Sequence, residues 1–124
     1  MVKVTGKIKL IKDGKVINVE ALFDTEAGKS YVDKKIAEFL GHEKYEKPVY
    51  INLAVKNSKA KVIGYLVARV EIEGYLLPEV EVFGVIDGLI EDAIIGLNII
   101  EPYGIILEKD KISFRRIPPT TAIV

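Results

Sequence analysis

The chain has no cysteine and no tryptophan, and glutamine is also missing from its 124 residues. Without cysteine there is neither a disulfide framework nor a thiolate metal site. The one histidine, His42, cannot build a zinc site without several carboxylate helpers. Charge of one sign never accumulates: 18 Lys and Arg balance 18 Asp and Glu. The electrostatic footprint of a nucleic-acid binder is therefore missing. No apolar run approaches the length of a membrane span. The opening stretch MVKVTGKIKLIKDGK breaks its apolar residues with lysines, unlike the unbroken core of a signal peptide. These absences predict a cytoplasmic protein with no cofactor, no metal, and no nucleic-acid or membrane partner.

What is abundant is Ile, Val, Lys and Glu, a bias shared with hyperthermophile proteins. The length suits one modest core, so residues 1–124 are read as a single domain. Strand patterns dominate. Val2–Ile11 alternates apolar and polar residues, Asp13-Gly14 reads as a hairpin turn, and Val16–Phe23 returns. A short strand follows near Ser30–Val32. A short helix is then capped by Asp33 and stopped by Gly41, with Ile36, Phe39 and Leu40 on one face. Pro48–Val55 and Ala60–Glu73 form the next strands, with Gly64 as a bulge or close-approach point. Glu73-Gly74 turns into Tyr75–Val85, where Pro78 belongs at an edge or bulge. The almost wholly apolar Ala93–Ile100 belongs at the centre of the core, and Ile105–Leu107 and Lys111–Phe114 close a last hairpin at Lys109-Asp110. The tail, with its two prolines, is not helical. The pattern is an all-β barrel or sandwich with at most two short helices. A faint duplication, a strand ending in a loop and then a short helix, surrounds Asp24 and again Gly96.

The stretch VEALFDTEAGKS, Val19–Ser30, ends an apolar run in Asp24 and Thr25. Such a run presents a carboxylate at the end of a buried strand, either for chemistry or as an Asx-turn residue that merely ends the strand. Gly28-Lys29-Ser30 is not a phosphate-binding loop, because Phe23 stands where that loop needs its first glycine. Asn57, Ser58 and Lys59 fit either a mobile flap tip or an ordinary hairpin turn. His42 is read as an exposed residue after the helix terminator. Tyr45, Tyr50, Tyr65, Tyr75 and Tyr103 are read as packing at the core's edge rather than a base-stacking platform.

Four segments, in order, resemble the retropepsin-type aspartic proteases, the single-domain class of retroviral proteases and of the protease-like domain in DNA-damage-inducible ubiquitin receptors. They are A-L-F-D-T-x-A at Ala21–Ala27, the flap-like hairpin across Val49–Ala68, V-E-I-E-G-Y-L-L-P at Val70–Pro78, and A-I-I-G-L-N-I-I at Ala93–Ile100. A closing hairpin follows at Gly104–Phe114, so the likeness runs from about residue 5 to about residue 115. It implies a closed or partly open acid-protease β-barrel with one or two short helices. It also implies an endopeptidase in which two aspartates share one proton, since neighbouring like charges do not both ionise cheaply. The chain offers one such residue, Asp24, so the resemblance implies a homodimer. Thr25 would hydrogen-bond beneath the pair, and Ile94, Ile95 and Gly96 would pack under the loop. Glu26, Ala27 and Gly28, with Asn57, Ser58 and Lys59 of the flap, would meet a peptide or unfolded protein. Val2–Leu10 and the tail, residues 117–124, are candidate dimer strands.

Glu26 departs from the pattern, because the family has glycine there. The alternative reading is therefore a catalytically inactive dimer of the same fold that binds peptides or a protein partner. A third is an unrelated small β-barrel in which Asp24 is structural.

Overall fold

The computed structural model describes residues 3–53 and 58–115. Strands β1 (Lys3–Lys12) and β2 (Lys15–Asp24) pair antiparallel along their whole length, from Lys3 opposite Asp24 to Lys12 opposite Lys15. The two-residue turn between them, Asp13-Gly14, has φ of 49° and 80°. Glu73-Gly74 and Lys109-Asp110 repeat this left-handed pair, with φ of 50° and 83° and of 46° and 65°. Such turns match the twist of the strands they join, and all three stand where the sequence marks them. Toward its end β2 changes from alternating to continuous burial, Ala21 through Asp24, because there it enters the middle of the sheet.

Beyond β2 come β3 (Tyr31–Asp33) and α1 (Lys34–Leu40). Asp33 caps the helix, its Oδ2 accepting the Lys35 amide at 3.0 Å, and Gly41 ends it with φ 94°. The buried face is Ile36, Ala37 and Leu40. Phe39, expected inside, is 50% exposed, with the Lys15 ammonium 5.9 Å from its ring centroid. The helix packs against β2, β3 and β7 (Glu81–Ile86), with Ala37 rather than Phe39 on the buried side.

The hairpin of β4 (Glu43–Leu53) and β5 (Ser58–Ile72) begins earlier than Pro48, and its register shifts between Lys44 and Val49. Pro48 falls in that shift, where its missing N–H costs no ladder bond. The bulge expected at Gly64 is present, since the β5–β7 register also slips between Val62 and Gly64. The expected strand over Tyr75–Val85 is broken into β6 (Tyr75–Leu76) and β7, with Pro78 in the gap. After β7 come β8 (Ala93–Ile95) and α2 (Leu97–Ile100). The hairpin of β9 (Ile105–Glu108) and β10 (Lys111–Phe114) follows as a separate two-stranded sheet.

Strands β1, β2, β8, β3, β7 and β5 follow one another around the sheet, and β5 returns to pair with β1. The barrel is thereby closed. Its two halves interlock: β8 lies parallel to β2, β3 lies parallel to β7, and β3 and β8 run antiparallel between them. This interlock is the structural form of the duplication seen around Asp24 and Gly96. Closure also narrows the interface expectation for Val2–Leu10, correcting it for Ile8–Leu10. Ile8, Lys9 and Leu10 pair with β2 on one edge and with Val70–Ile72 on the other, so they have no free edge for a second chain. Residues 117–124 lie outside the described residues. The core runs through the barrel, from Val4, Ile8 and Leu10 to Phe23, Leu66, Phe83, Ile95 and Ile99.

Candidate active site

Asp24 is the last residue of β2 and is completely buried. The parallel pairing of Leu22 with Ile94 and Phe23 with Ile95 holds that strand end in the sheet. The chain then turns sharply. The Ala27 amide donates to the Asp24 carbonyl at 3.2 Å, and the Glu26 amide donates to Asp24 Oδ1 at 2.9 Å. This is the Asx turn that the sequence offered as one reading, and it fixes the carboxylate's orientation. The other oxygen, Oδ2, is buried with no hydrogen-bond partner among the described residues. A buried carboxylate oxygen without a donor is costly, so this atom marks the place where the fold leaves a demand open.

The loop rests on the residues expected beneath it. Leu97 and Asn98 donate their amides to the carbonyls of Ala27 and Gly28, at 2.7 Å and 3.2 Å. Ile94 and Ile95 are fully buried. At Gly96 a Cβ would collide with the Lys29 carbonyl oxygen and lie 2.6 Å from that of Ala27. Two residues that sequence reasoning passed over complete the support. Ser30, 1% exposed, accepts the Gly96 amide at 2.9 Å and donates to Asn98 Oδ1 at 2.8 Å. Asn98 stood in the quoted I-I-G-L-N, but nothing in its spacing pairs a residue of α2 with a serine just before β3.

Glu26 sits in the turn without left-handed backbone, which is confined to other non-glycine residues. The position therefore does not require glycine, and its amide performs the support of Asp24 as a glycine amide would. The Glu26 side chain is exposed. It lines a cleft of about 90 Å³ together with Ala27, Gly28, Tyr31 and Ile94 on one side and Asn52 and Leu53 of the hairpin on the other. Of the three flap residues expected to meet a peptide, Asn57 lies outside the described residues and Ser58 begins β5. Lys59 lines a neighbouring cavity of about 430 Å³ with Leu53, Leu89 and Ile90. Leu53 separates the two cavities. A further cavity of about 410 Å³ opens behind Tyr31, between Tyr45, Tyr65 and Val82.

Several smaller expectations change. His42 is only half-exposed, with Nδ1 3.3 Å from the Glu43 carbonyl. Tyr45, Tyr50 and Tyr65 are exposed rather than tucked at the core's edge, whereas Tyr75 stacks edge-on against Phe114 at 5.3 Å. Among the described residues, no three His, Asp or Glu side chains converge as a metal site. No helix of the described residues is long and apolar enough to cross a membrane.

This overall architecture is shared with solved structures. The retroviral protease-like domain of Ddi1 from Leishmania major superposes with a TM-score of 0.64 over 97% of this chain and 98% of that one, at 19% identity. The fold is retropepsin-like. A retropepsin-like aspartic protease from Rickettsia conorii superposes with a TM-score of 0.55, covering 90% of this chain and 92% of that one, at 18% identity. No protein-family model matches the sequence, and no curated protein sequence matches it. The retropepsin-like likeness sets aside the unrelated small β-barrel.

Proposed function

We propose that the chain is a retropepsin-like aspartic endopeptidase that works as a homodimer, with Asp24 of each copy meeting at the two-fold axis. The observation that carries this reading is the Asp24 carboxylate. It stands at a strand end with Oδ1 held by the Glu26 amide and Oδ2 buried without a donor. A second copy would supply what Oδ2 lacks once the chain's own cover over Asp24 opens, because two adjacent carboxylates share one proton. In the reaction the ionised aspartate takes a proton from a water, whose oxygen attacks the scissile carbonyl carbon. The protonated aspartate donates to the carbonyl oxygen. The tetrahedral intermediate then collapses, the C–N bond breaks and the amine leaves with a proton. Extended peptide would lie between the Asp24–Gly28 turn and the β4–β5 hairpin. Tyr50 and Ile90, 64% and 83% exposed, line the adjoining cavity beyond Leu53. A cysteine-free chain fits a reducing compartment, the cytoplasm.

The test is cleavage of an unfolded protein by wild type and Asp24→Asn between pH 3 and pH 8, with sedimentation at micromolar concentration. Cleavage that Asp24→Asn abolishes, by a dimer, supports the proposal. A protein that stays monomeric has no second aspartate, and the mechanism fails.

One observation favours the inactive, peptide-binding reading. Asp24 has no exposed surface in the chain, and one of its oxygens is already committed to the Asx turn. Peptide binding without cleavage would decide for it.

A further inference from the structure

The cleft beside Asp24 contains one charge. Ala27, Tyr31, Leu53 and Ile94 give it apolar walls, Asn52 adds a neutral amide, and Glu26 is its one ionisable carboxylate. Among the described residues, that carboxylate has no hydrogen-bond or ion-pair partner. Among the described residues, Lys29 lines the cavity behind Tyr31, and Lys59 and Lys61 line the one beyond Leu53. The cleft's volume is about 90 Å³, against about 410 and 430 Å³ for the two neighbouring cavities. That is room for the outer part of a single side chain.

From this we infer that Glu26 is a specificity-determining residue, and that the cleft selects a peptide segment carrying a lysine or arginine. The inference rests on the proposal that peptide lies along this cleft, and it does not depend on hydrolysis. The match is chemical. A basic side chain has an apolar stem and a charged tip, and the cleft offers apolar walls ending in an uncompensated carboxylate. A norleucine would fill the same space but leave Glu26 without a partner. A glutamate would set two like charges side by side at the cleft. The backbone amide of Glu26 is engaged with Asp24 Oδ1 at 2.9 Å. The side chain that reads the substrate is therefore fixed to the residue proposed to cut it.

The experiment uses the full chain carrying Asp24→Asn, so that binding is read without turnover. A set of fluorescent decapeptides carries one lysine, norleucine or glutamate moved through an otherwise constant sequence, and affinity is read by anisotropy. At one position lysine is expected to bind about tenfold tighter than norleucine, with glutamate weakest. Adding Glu26→Gln should bring lysine and norleucine within about twofold of each other. Equal binding of lysine and norleucine, a preference that survives Glu26→Gln, or no binding by any peptide overturns the inference. Wild type is then given the same peptides. A lysine preference without cleavage keeps this inference and sinks the peptidase proposal. Cleavage without a lysine preference does the reverse.

Discussion

Ser30 and Asn98 stand 68 residues apart in sequence, and the hydroxyl of one donates to Oδ1 of the other at 2.8 Å. The same hydroxyl accepts the Gly96 amide at 2.9 Å. One buried oxygen thus ties the segment leaving the Asp24 turn to the segment beneath it, and the two halves of the barrel are locked at the site rather than far from it.

Ser30→Ala leaves the buried Gly96 N–H without its acceptor. An unsatisfied buried donor costs about 1–3 kcal/mol, so the urea midpoint should fall accordingly. Amide exchange at Gly96 and Leu97 should accelerate more than in the distant β9–β10 hairpin. Uniform acceleration across the chain would show that Ser30 does not act locally.

Gly96→Ala tests close approach rather than backbone freedom, since φ at Gly96 is −103°, accessible to any residue. The added methyl would strike the carbonyl oxygens of Lys29 and Ala27. Both are backbone atoms with no rotamer to escape into. Overpacking of this kind costs about 1–3 kcal/mol. It should also displace Ala27 from the Leu97 amide, so loss of stability and loss of peptide binding should appear together in denaturation and anisotropy measurements.

The order of elements was legible because its signals are local. Asp13-Gly14 and Glu73-Gly74 mark turns by their own chemistry, and Asp33 and Gly41 bracket a helix. The run to Asp24 reads as a buried strand end because its neighbours on both faces are apolar. What stayed hidden depends on tertiary placement. Phe39 and Ala37 both lie near the expected helical stripe, and only the strands under α1 decide which turns inward. Ile8–Leu10 looked like an edge until β5 closed the barrel against it. Ser30 and Asn98 carry no sequence signal of their pairing, because a polar clamp between a loop and a short helix has no period.

Tyr103 and Glu81 give the chain a pH signature outside the site. The Tyr103 hydroxyl donates to Glu81 Oε2 at 2.7 Å. Burial, and then the bond to Glu81, raise the tyrosine above its ordinary 10.0. Burial also raises Glu81 above 4.5, with repulsion from Glu79 adding to it and the Tyr103 bond opposing it. A raised folded value means the stabilisation is complete below the unfolded value and is lost as pH climbs through the folded one. For Tyr103 that loss begins above about pH 10, and for Glu81 it begins above its ordinary acid range. Tyr103→Phe should cost about 1 kcal/mol at neutral pH and flatten the alkaline fall in stability. Glu81→Gln should remove the acid-side slope. Melting temperatures from pH 4 to pH 11 read both effects, and an unchanged alkaline limb in Tyr103→Phe would refute the assignment.

Glu26 decides between an enzyme and a binding module, and its backbone shows how to ask. Because the residue adopts no left-handed conformation, Glu26→Gly grants no conformation the turn needs, and its amide still supports Asp24 Oδ1. The effect of the substitution is therefore that of removing a side chain. Two carboxylates leave the centre of the proposed dimer, and the cleft opens to neutral and acidic segments. Cleavage of an unfolded acidic protein is expected to rise, while cleavage of a lysine-bearing peptide falls. Asp24→Asn should abolish cleavage in either background. It should nevertheless keep the fold, since the amide oxygen of asparagine still accepts the Glu26 N–H, and its melting temperature should equal or exceed that of wild type. If wild type cleaves every substrate faster than Glu26→Gly, then Glu26 is a working part of an altered site. If neither form cleaves and neither binds a transition-state mimic of the tetrahedral intermediate, the paired-aspartate chemistry is absent. The chain is then a peptide-binding dimer built on a protease fold.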